Sequence, residues 1–599
     1  MPERDATLTR VATLTVAELL IAYLGQLGIA YVFGVPGGAI EPLYDALAAS
    51  DTRGGPRAIV ARHETGAAFM ADGYAQQTGH IGVCCATTGP GSTNLITGIA
   101  SAYASCVPLL AITAQTALHG FGRNAFQESS CTGINILGMF EHCTHYNTLV
   151  SHVDQFEHKL VSALMTALGP RPGPVHLSIP IDVMRADTGL SQPSFNIRRL
   201  LEKSVLVDTS ASARLNDIVL GARKIAFVVG EGAAPAIGGI LWAAWLLDAP
   251  IIATPHGKGL INPFHPLYRG VIGFAGHASA YEALSDAALD VVICIGATLS
   301  EWASNGWDMN LLLNRRLVHV DELNHNLTAS PMAQLHVRGN ISAVIGALVS
   351  SLEQALPAVH VQHKQKSRPL VTTESHRRYA FALDDEAAFY DETIPLKPPC
   401  LMRYLPLIFP PSTRYFADVG AAFAWGIHYL HPGDRRLAGG ARDTHGGLFR
   451  ASLEFASMGW AIGTAVGASL AKPNQPVVCI TGDGSWLMSG QELTVAVQEQ
   501  LPIVFLILND SSLGMVRHGQ RMAGAADIAT DIPFTDFAAM ARSMGAIAHV
   551  ITSAADLRAL QGGAAISQTG PTVLDVRIDR ESIPPIQMRI NHLRGITNE

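Results

Sequence analysis

Pro476-Val-Val-Cys-Ile-Thr-Gly-Asp-Gly484 and Ile503-Val-Phe-Leu-Ile-Leu-Asn-Asp510 are two apolar runs, and each stops at an aspartate. Both are apolar throughout rather than alternating, as strands buried on both faces of a helix-covered parallel sheet must be. Ligands of such sheets bind at the carboxyl ends of the strands. Neighbouring strands would therefore present Asp483 and Asp510, 27 residues apart in sequence, to one crevice. Gly482 and Gly484 allow backbone to approach a phosphate, whose charge suits the start of the following helix. Magnesium commonly combines one or two carboxylates with phosphate oxygens. A lone Gly-Asp-Gly is more often a tight turn; the second strand end at this spacing makes the reading specific.

The same alternation of apolar runs and Ala-rich stretches continues outward in three blocks, which predicts an α/β fold of parallel sheets. The first runs over 13–187, with strands at Tyr31-Val-Phe33, Ile81–Cys85, Pro108–Ile112 and Pro174–Pro180. The second runs over 205–352, with strands at Ile225–Val229 and Val291–Ile295. A polar linker over 353–399 leads to the third block, 400–578, and 579–599 is an unassigned tail.

Composition narrows the function classes. The 599 residues are 48% hydrophobic and 15% charged, with net charge −8 and no basic run, which argues against a nucleic-acid partner. The eight cysteines form no CxxC pair and sit mostly in apolar segments, the pattern of reduced thiols in a cytoplasmic enzyme. The most apolar stretch, Gly232 to Leu247, holds a proline and three glycines. It falls short of the roughly 20 residues a span needs, so a buried helix is expected and no membrane. Met1 to Arg10 lacks an apolar signal core.

Two further stretches carry chemistry in the first block. Ala61-Arg-His-Glu64-Thr-Gly-Ala-Ala-Phe-Met-Ala-Asp-Gly-Tyr74 sets a glutamate at a helix start, where a carboxylate is ordinarily a dipole partner. Thr87-Thr-Gly-Pro90-Gly-Ser-Thr-Asn94 follows it. Together with 482–510, these stretches resemble the signatures of thiamine diphosphate enzymes. More closely, they resemble the catalytic subunit of acetolactate (acetohydroxyacid) synthase, and the likeness runs from about Val16 to Ile578.

The resemblance implies three doubly wound parallel-sheet domains: pyrimidine-binding, central and diphosphate-binding. It implies thiamine diphosphate held through Mg2+ by Asp483, Asp510 (Asn in the family) and the carbonyl of Ser512. Glu64 would hydrogen-bond the aminopyrimidine ring, with Pro90 and Asn94 in the loop nearby. Gly420 falls in the segment matching the family's GQHQMW, beside the diphosphate. Met458 matches the bulky residue that folds the two cofactor rings together. The ring-bonding glutamate and the metal residues meet across a subunit interface in the family, so a homodimer or homotetramer is expected.

The substrate pocket follows the family less closely. Val35 and Gly38 fall in a segment resembling FGYPGG, and Phe126 and Gln127 in one matching DAFQE. Gln127 is suited to bonding a bound intermediate, and Phe126 is open to simple packing. Ile181 stands where the family has a lysine. Gly519 stands where it has the tryptophan that helps select the second 2-oxo acid, beside Arg517 and His518. The vacated space would suit a bulkier acceptor, or an anionic one bound by Arg517 and His518. Both arginines of the family's flavin segment are missing from Gly296-Ala-Thr-Leu-Ser-Glu-Trp302. That weighs against FAD without excluding it, and FAD, ADP or nothing are the alternatives for the central domain.

The activity implied is decarboxylation of a 2-oxo acid, pyruvate being the first candidate, with transfer of the acyl carbanion to a carbonyl acceptor. The alternatives are a decarboxylase that does not ligate, and an inactive paralogue acting as a partner protein.

Overall fold

Three sheets of six strands, every pairing parallel, carry the chain. They are seen in a computed structural model that describes residues 12–202, 205–368, 379–433, 446–562 and 569–593, the side chains of the last segment as far as 591. The chain forms two units, split near residue 203, with the N-terminal sheet in the first and the other two sheets in the second. The doubly wound α/β expectation holds for all three domains.

The first unit has β1 (Tyr31–Val35), β2 (Arg57–Val60), β3 (Gly82–Ala86), β4 (Leu109–Gln115), β5 (Tyr146–Leu149) and β6 (Val175–Pro180), in the order β2-β1-β3-β4-β6-β5. β3, β4 and β6 are buried along their whole length, which is why they read as unbroken apolar runs. β5, at the edge, is half-buried throughout and carries no such signal. Since β1 pairs with β2 on one side and β3 on the other, the strand order reverses between β1 and β3. A crevice opens at the carboxyl ends there.

The second unit begins with β7 (Ile225–Val229), β8 (Ile251–Ala253), β9 (Tyr268–Val271), β10 (Val291–Ile295), β11 (Leu317–Asp321) and β12 (Leu335–Arg338). Their order, β9-β8-β7-β10-β11-β12, is that of a dinucleotide-binding sheet. The third sheet holds β13 (Arg414–Ala417), β14 (Phe449–Ala451), β15 (Val477–Gly482), β16 (Ile503–Asn509), β17 (Ile547–Ile551) and β18 (Thr572–Arg577). Its order, β14-β13-β15-β16-β18-β17, repeats that of the first sheet position for position. One apolar cluster spans both sheets of this unit, from Phe227 and Ile293 to Tyr415, Leu506 and Leu574.

Helix Ile237–Leu247 is mostly buried in that cluster, as expected for the Gly232–Leu247 stretch. No single helix among the described residues is long and apolar enough to cross a membrane; one pair, bent by 119°, passes on length and composition alone. Within 353–399, helices form at Ala358–Lys366 and Glu386–Tyr390. The tail adds helix Gln587–Leu593.

Candidate functional site

Glu64 is placed by the end of β2: four residues beyond Val60 it begins helix Glu64–Thr78. Its side chain is 9% exposed. Asn94 Nδ2 donates to Glu64 Oε2 at 3.0 Å, which leaves Oε1 with no donor among the described residues. The Asn94 carbonyl in turn accepts from the Thr65 hydroxyl at 2.6 Å, so the two helices hold each other. A side chain at Gly91 would bring a Cβ within 3.2 Å of Glu64 Oε1. Only glycine there leaves that oxygen approachable. Behind it, burial pushes the Cys85 thiol up to about 12, and burial also raises the Tyr44 phenol. Neither ionises at neutral pH.

The loop after β3 supplies the second wall. Gly89 takes a φ of +66° at the start of helix Pro90–Ala104, and Pro90 itself is exposed. The Thr88 hydroxyl donates to the Gln127 carbonyl at 2.9 Å and meets the Ser129 hydroxyl at 2.6 Å. Gln127 is thereby held at a φ of +58°, a strained value for a residue with a Cβ. Phe126 beside it is 85% exposed. Val35 ends β1 half-buried, Gly38 is exposed with open space around it, and Ile181 follows β6 half-buried. All of these residues follow carboxyl ends of strands in one parallel sheet.

In the second unit, Asp483 and Asp510 follow the paired strands β15 and β16. The Ser512 N–H donates to both carboxylates, at 3.1 Å to Asp510 Oδ1 and 3.4 Å to Asp483 Oδ2. Asp483 Oδ1 also accepts from the Gly484 N–H at 2.7 Å. A φ of +54° at Ser511 turns the Ser512 N–H back toward the pair. Burial raises the Asp483 pKa, and burial with the charge of Asp483 pushes Asp510 up to about 7. Two carboxylates crowded on one donor hold their charge poorly unless a cation joins them.

A divalent cation with a diphosphate fits what stands around this pair. The buried hydroxyls of Ser485 and Ser512 have no hydrogen-bond partner among the described residues. Gly420 (φ +109°) and Gly482 face open space, so an anion can approach their backbone. No group of three His, Cys, Asp or Glu gathers among the described residues, so further oxygens must come from backbone and ligand. Half-buried Met458 stands over the same turn, its Cε 3.4 Å from where a Gly484 Cβ would be.

Asp418, after β13, is a buried neighbour that the motifs did not single out. Burial pushes its pKa up to about 6, and it accepts from the Thr481 hydroxyl at 3.0 Å and the Gly459 N–H at 3.0 Å. The signal for it was available in Asp418-Val-Gly420, a strand end resembling Gly482-Asp483-Gly484.

Comparison with known proteins agrees with this geometry. Residues 14–134 match the model "Thiamine pyrophosphate enzyme, N-terminal TPP binding domain", 212–348 the central domain, and 442–576 the C-terminal TPP binding domain. The chain belongs to the thiamine pyrophosphate enzymes. Acetolactate synthase of Arthrospira platensis is 31% identical over 590 residues, covering 95% of each chain. The isozyme 2 large subunit of acetolactate synthase from Escherichia coli (strain K12) is 31% identical over 584 residues, covering 95% of this chain and 97% of its own. The probable acetolactate synthase large subunit of Methanococcus aeolicus is 29% identical over 589 residues, covering 95% and 93%. The resemblance read from the motifs is thus correct, and the protein is an enzyme close to the acetolactate synthase catalytic subunit.

Where this thiamine pyrophosphate enzyme departs from the family, the structure gives the side chains partners. Arg517 pairs with Glu581 at 3.0 Å and Asp527 at 3.4 Å. His518 Nε2 meets the Arg580 carbonyl at 3.1 Å, and burial lowers its pKa. A Cβ on Gly519 would lie 3.5 Å from Ile590 Cδ1. All three therefore face the tail.

In the central domain, Gly230 and Gly232 pack directly against Gly296 (φ +60°), so these glycines serve the approach of one loop to another. Glu231 pairs with Arg450 at 2.6 Å and His256 with Glu454 at 2.9 Å. The segment around β14 thus lines the central sheet's carboxyl edge with charges of its own.

Proposed function

We propose that this thiamine pyrophosphate enzyme is a carboligase of the acetolactate synthase type. It would decarboxylate a 2-oxo acid, pyruvate first among candidates, and join the acyl unit to a carbonyl acceptor. The observation that carries the reading is the pair of carboxylates on the single Ser512 N–H. That arrangement suits Mg2+ and a diphosphate.

In this reading Asp483, Asp510 and the Ser512 carbonyl hold the cation, while Gly420, Gly482 and Gly484 leave backbone open to the phosphates. Bound thiamine diphosphate would supply the electron sink that makes a carbanion from a 2-oxo acid accessible. Glu64 would share a proton with the ring nitrogen of the bound aminopyrimidine through Oε1, while Asn94, donating to Oε2 at 3.0 Å, holds the carboxylate in position. Met458 would pack against the bound rings. Val35, Gly38, Phe126, Gln127, Ile181, His518 and Gly519 border the substrate. A homodimer in the cytoplasm is the smallest working unit, with a tetramer as a pair of such dimers, and no flavin takes part.

Mass spectrometry of products from a panel of 2-oxo acids and carbonyl acceptors tests this. Ligation products support it, while aldehyde alone would leave a non-ligating decarboxylase. Rapid formation of acetolactate from pyruvate alone would mean that the Gly519 departure does not alter acceptor choice. A Glu64→Gln variant with full turnover would overturn the assignment of Glu64, and a yellow purified protein would restore FAD.

A further inference from the structure

We propose that Ile590, on the C-terminal helix, is a specificity-determining residue: it plugs the space at Gly519 and so limits the size of the carbonyl acceptor. The inference rests on the proposed function and adds to it a residue far from every motif.

Gly519 belongs to helix Gly514–Met522, which starts at the metal site: a Cβ on Gly514 would lie 2.9 Å from Asp510 Oδ2. At about 1.5 Å of rise per residue, Gly519 stands only ~8 Å along the axis from that carboxylate. A glycine inside a helix is destabilising against alanine, so a physical reason for it is expected. Here that reason is the tail. A methyl group at 519 would meet Ile590 Cδ1 at 3.5 Å, ordinary van der Waals contact, so a larger side chain directed the same way would need the space that Ile590 fills. Bulk missing from position 519 is thus returned from position 590, where the side chain is 5% exposed.

The plug is held in place from several sides. Ahead of it, Glu581 pairs with Arg517 at 3.0 Å and Arg521 at 2.7 Å, and Arg580 pairs with Asp531 at 2.5 Å. Asp531 forms a β-bridge with Ser512, and the Leu513 N–H donates to the Thr530 carbonyl at 2.7 Å, so the tail is fastened to the metal-site loop itself. One residue before the plug, Arg589 pairs with Glu301 at 2.7 Å and lies over the Trp302 ring, 5.5 Å from its centroid. Ile586, one turn earlier, is 1% exposed in the same core. A side chain fixed this firmly beside a reaction site discriminates by volume, because its neighbours cannot rearrange to admit a larger group.

The test is a series, Ile590→Val and Ile590→Ala, with the swap Gly519→Trp/Ile590→Ala, assayed with thiamine diphosphate and Mg2+. Carbon dioxide release is measured beside ligation to a small and a bulky 2-oxo acid acceptor. The readout is the ratio of kcat/KM between the two acceptors, which a general loss of activity does not move. The single substitutions are expected to shift that ratio toward the bulky acceptor by about tenfold per removed methylene, and the swap to reverse the shift. Ile590→Val removes one methyl group and keeps the test readable if Ile590→Ala does not fold. An unchanged ratio in an active variant would overturn the role of Ile590 alone. An unmodified enzyme that releases no carbon dioxide from any 2-oxo acid would overturn the proposed function, and this inference with it.

Discussion

The substitution Asn94→Asp isolates what the Asn94–Glu64 contact does. It exchanges an NH2 for an oxygen at nearly constant shape, and sets a second carboxyl group 3.0 Å from Glu64 Oε2. At an effective dielectric constant of about 20, two charges that close repel by ~5 kcal/mol. That equals roughly 4 pKa units, and less where water reaches half-buried Asn94. The pair therefore keeps one shared proton, which leaves between about pH 6 and 8, some 2–4 units above an ordinary aspartate.

Below that range the introduced acid is neutral and donates to Glu64 as the amide does. Above it the donor is lost and the two charges push the carboxylates apart. Carbon dioxide release from the best 2-oxo acid should lie within about tenfold of the unmodified enzyme at pH 6, and fall by ~100-fold or more at pH 9, the lower range for a positioned proton-transfer group. Stability follows the same sign: a carboxyl pair with a raised pKa opposes folding above that pKa, and the cost fades as pH falls through it. The gap in melting temperature should therefore widen with pH. A variant-to-unmodified activity ratio that stays constant from pH 6 to 9 would refute the claim that Asn94 positions Glu64.

Further outcomes follow from other parts of the molecule. Asp483→Asn should abolish magnesium-dependent uptake of thiamine diphosphate in titration calorimetry, and uptake within about tenfold of the unmodified enzyme would count against the carboxylate pair as the cation clamp. Gly459→Ala should lower the melting temperature, because Gly459 has a φ of +86° and a Cβ there would collide with the Ser489 hydroxyl. Left-handed strain and overpacking together amount to about 2–4 kcal/mol, so an unchanged melting point would be inconsistent with this packing. Lys258 is buried, its ammonium 3.3 Å from His431 Nδ1 and 6.0 Å from the Phe449 ring centroid, and burial holds its pKa well below the usual lysine value. A depressed lysine opposes folding at pH values below its unfolded pKa, and the cost vanishes as pH rises toward about 10.4. Lys258→Met should therefore stabilise the enzyme at pH 7 and lose that advantage near pH 10; a constant gap would point to packing instead of charge.

What could be read from the sequence depended on how deeply each element is buried. β16 is inside the sheet along all its length, so Ile503–Asn509 is unmistakable. β17, at the edge, is largely exposed, and Ile547–Ile551 offers no apolar run to find. The strand-end aspartates were legible because one crossover separates them, which keeps both in a single stretch of sequence. The contact of Asn94 with Glu64 was legible only as two neighbouring motifs, since it joins two helices 30 residues apart. Helix Ala358–Lys366 is polar along most of its exposed length and so read as linker. Helix Gln587–Leu593 left a faint trace in Ile586 and Ile590, a pair one helical turn apart that only the packing against Gly519 makes meaningful.

The repeated strand order of the first and third sheets explains why the cofactor motifs lie toward the two ends of the chain. In each sheet the loop after the first two strands in chain order, and after the strand beyond the reversal, faces the crevice, so few positions can carry ligand chemistry. Glu64 follows β2 and Met458 follows β14; Pro90 follows β3 and Asp483 follows β15. On the proposed function, substituting any of these residues would remove a ligand contact. The central sheet has the strand order of a dinucleotide-binding fold, yet its glycines are taken up by loop-to-loop contact at Gly230 and Gly296. Its crevice is free to change as long as the loops still pack, and the loss of both arginines of the family's flavin segment falls there, at Gly296 to Trp302.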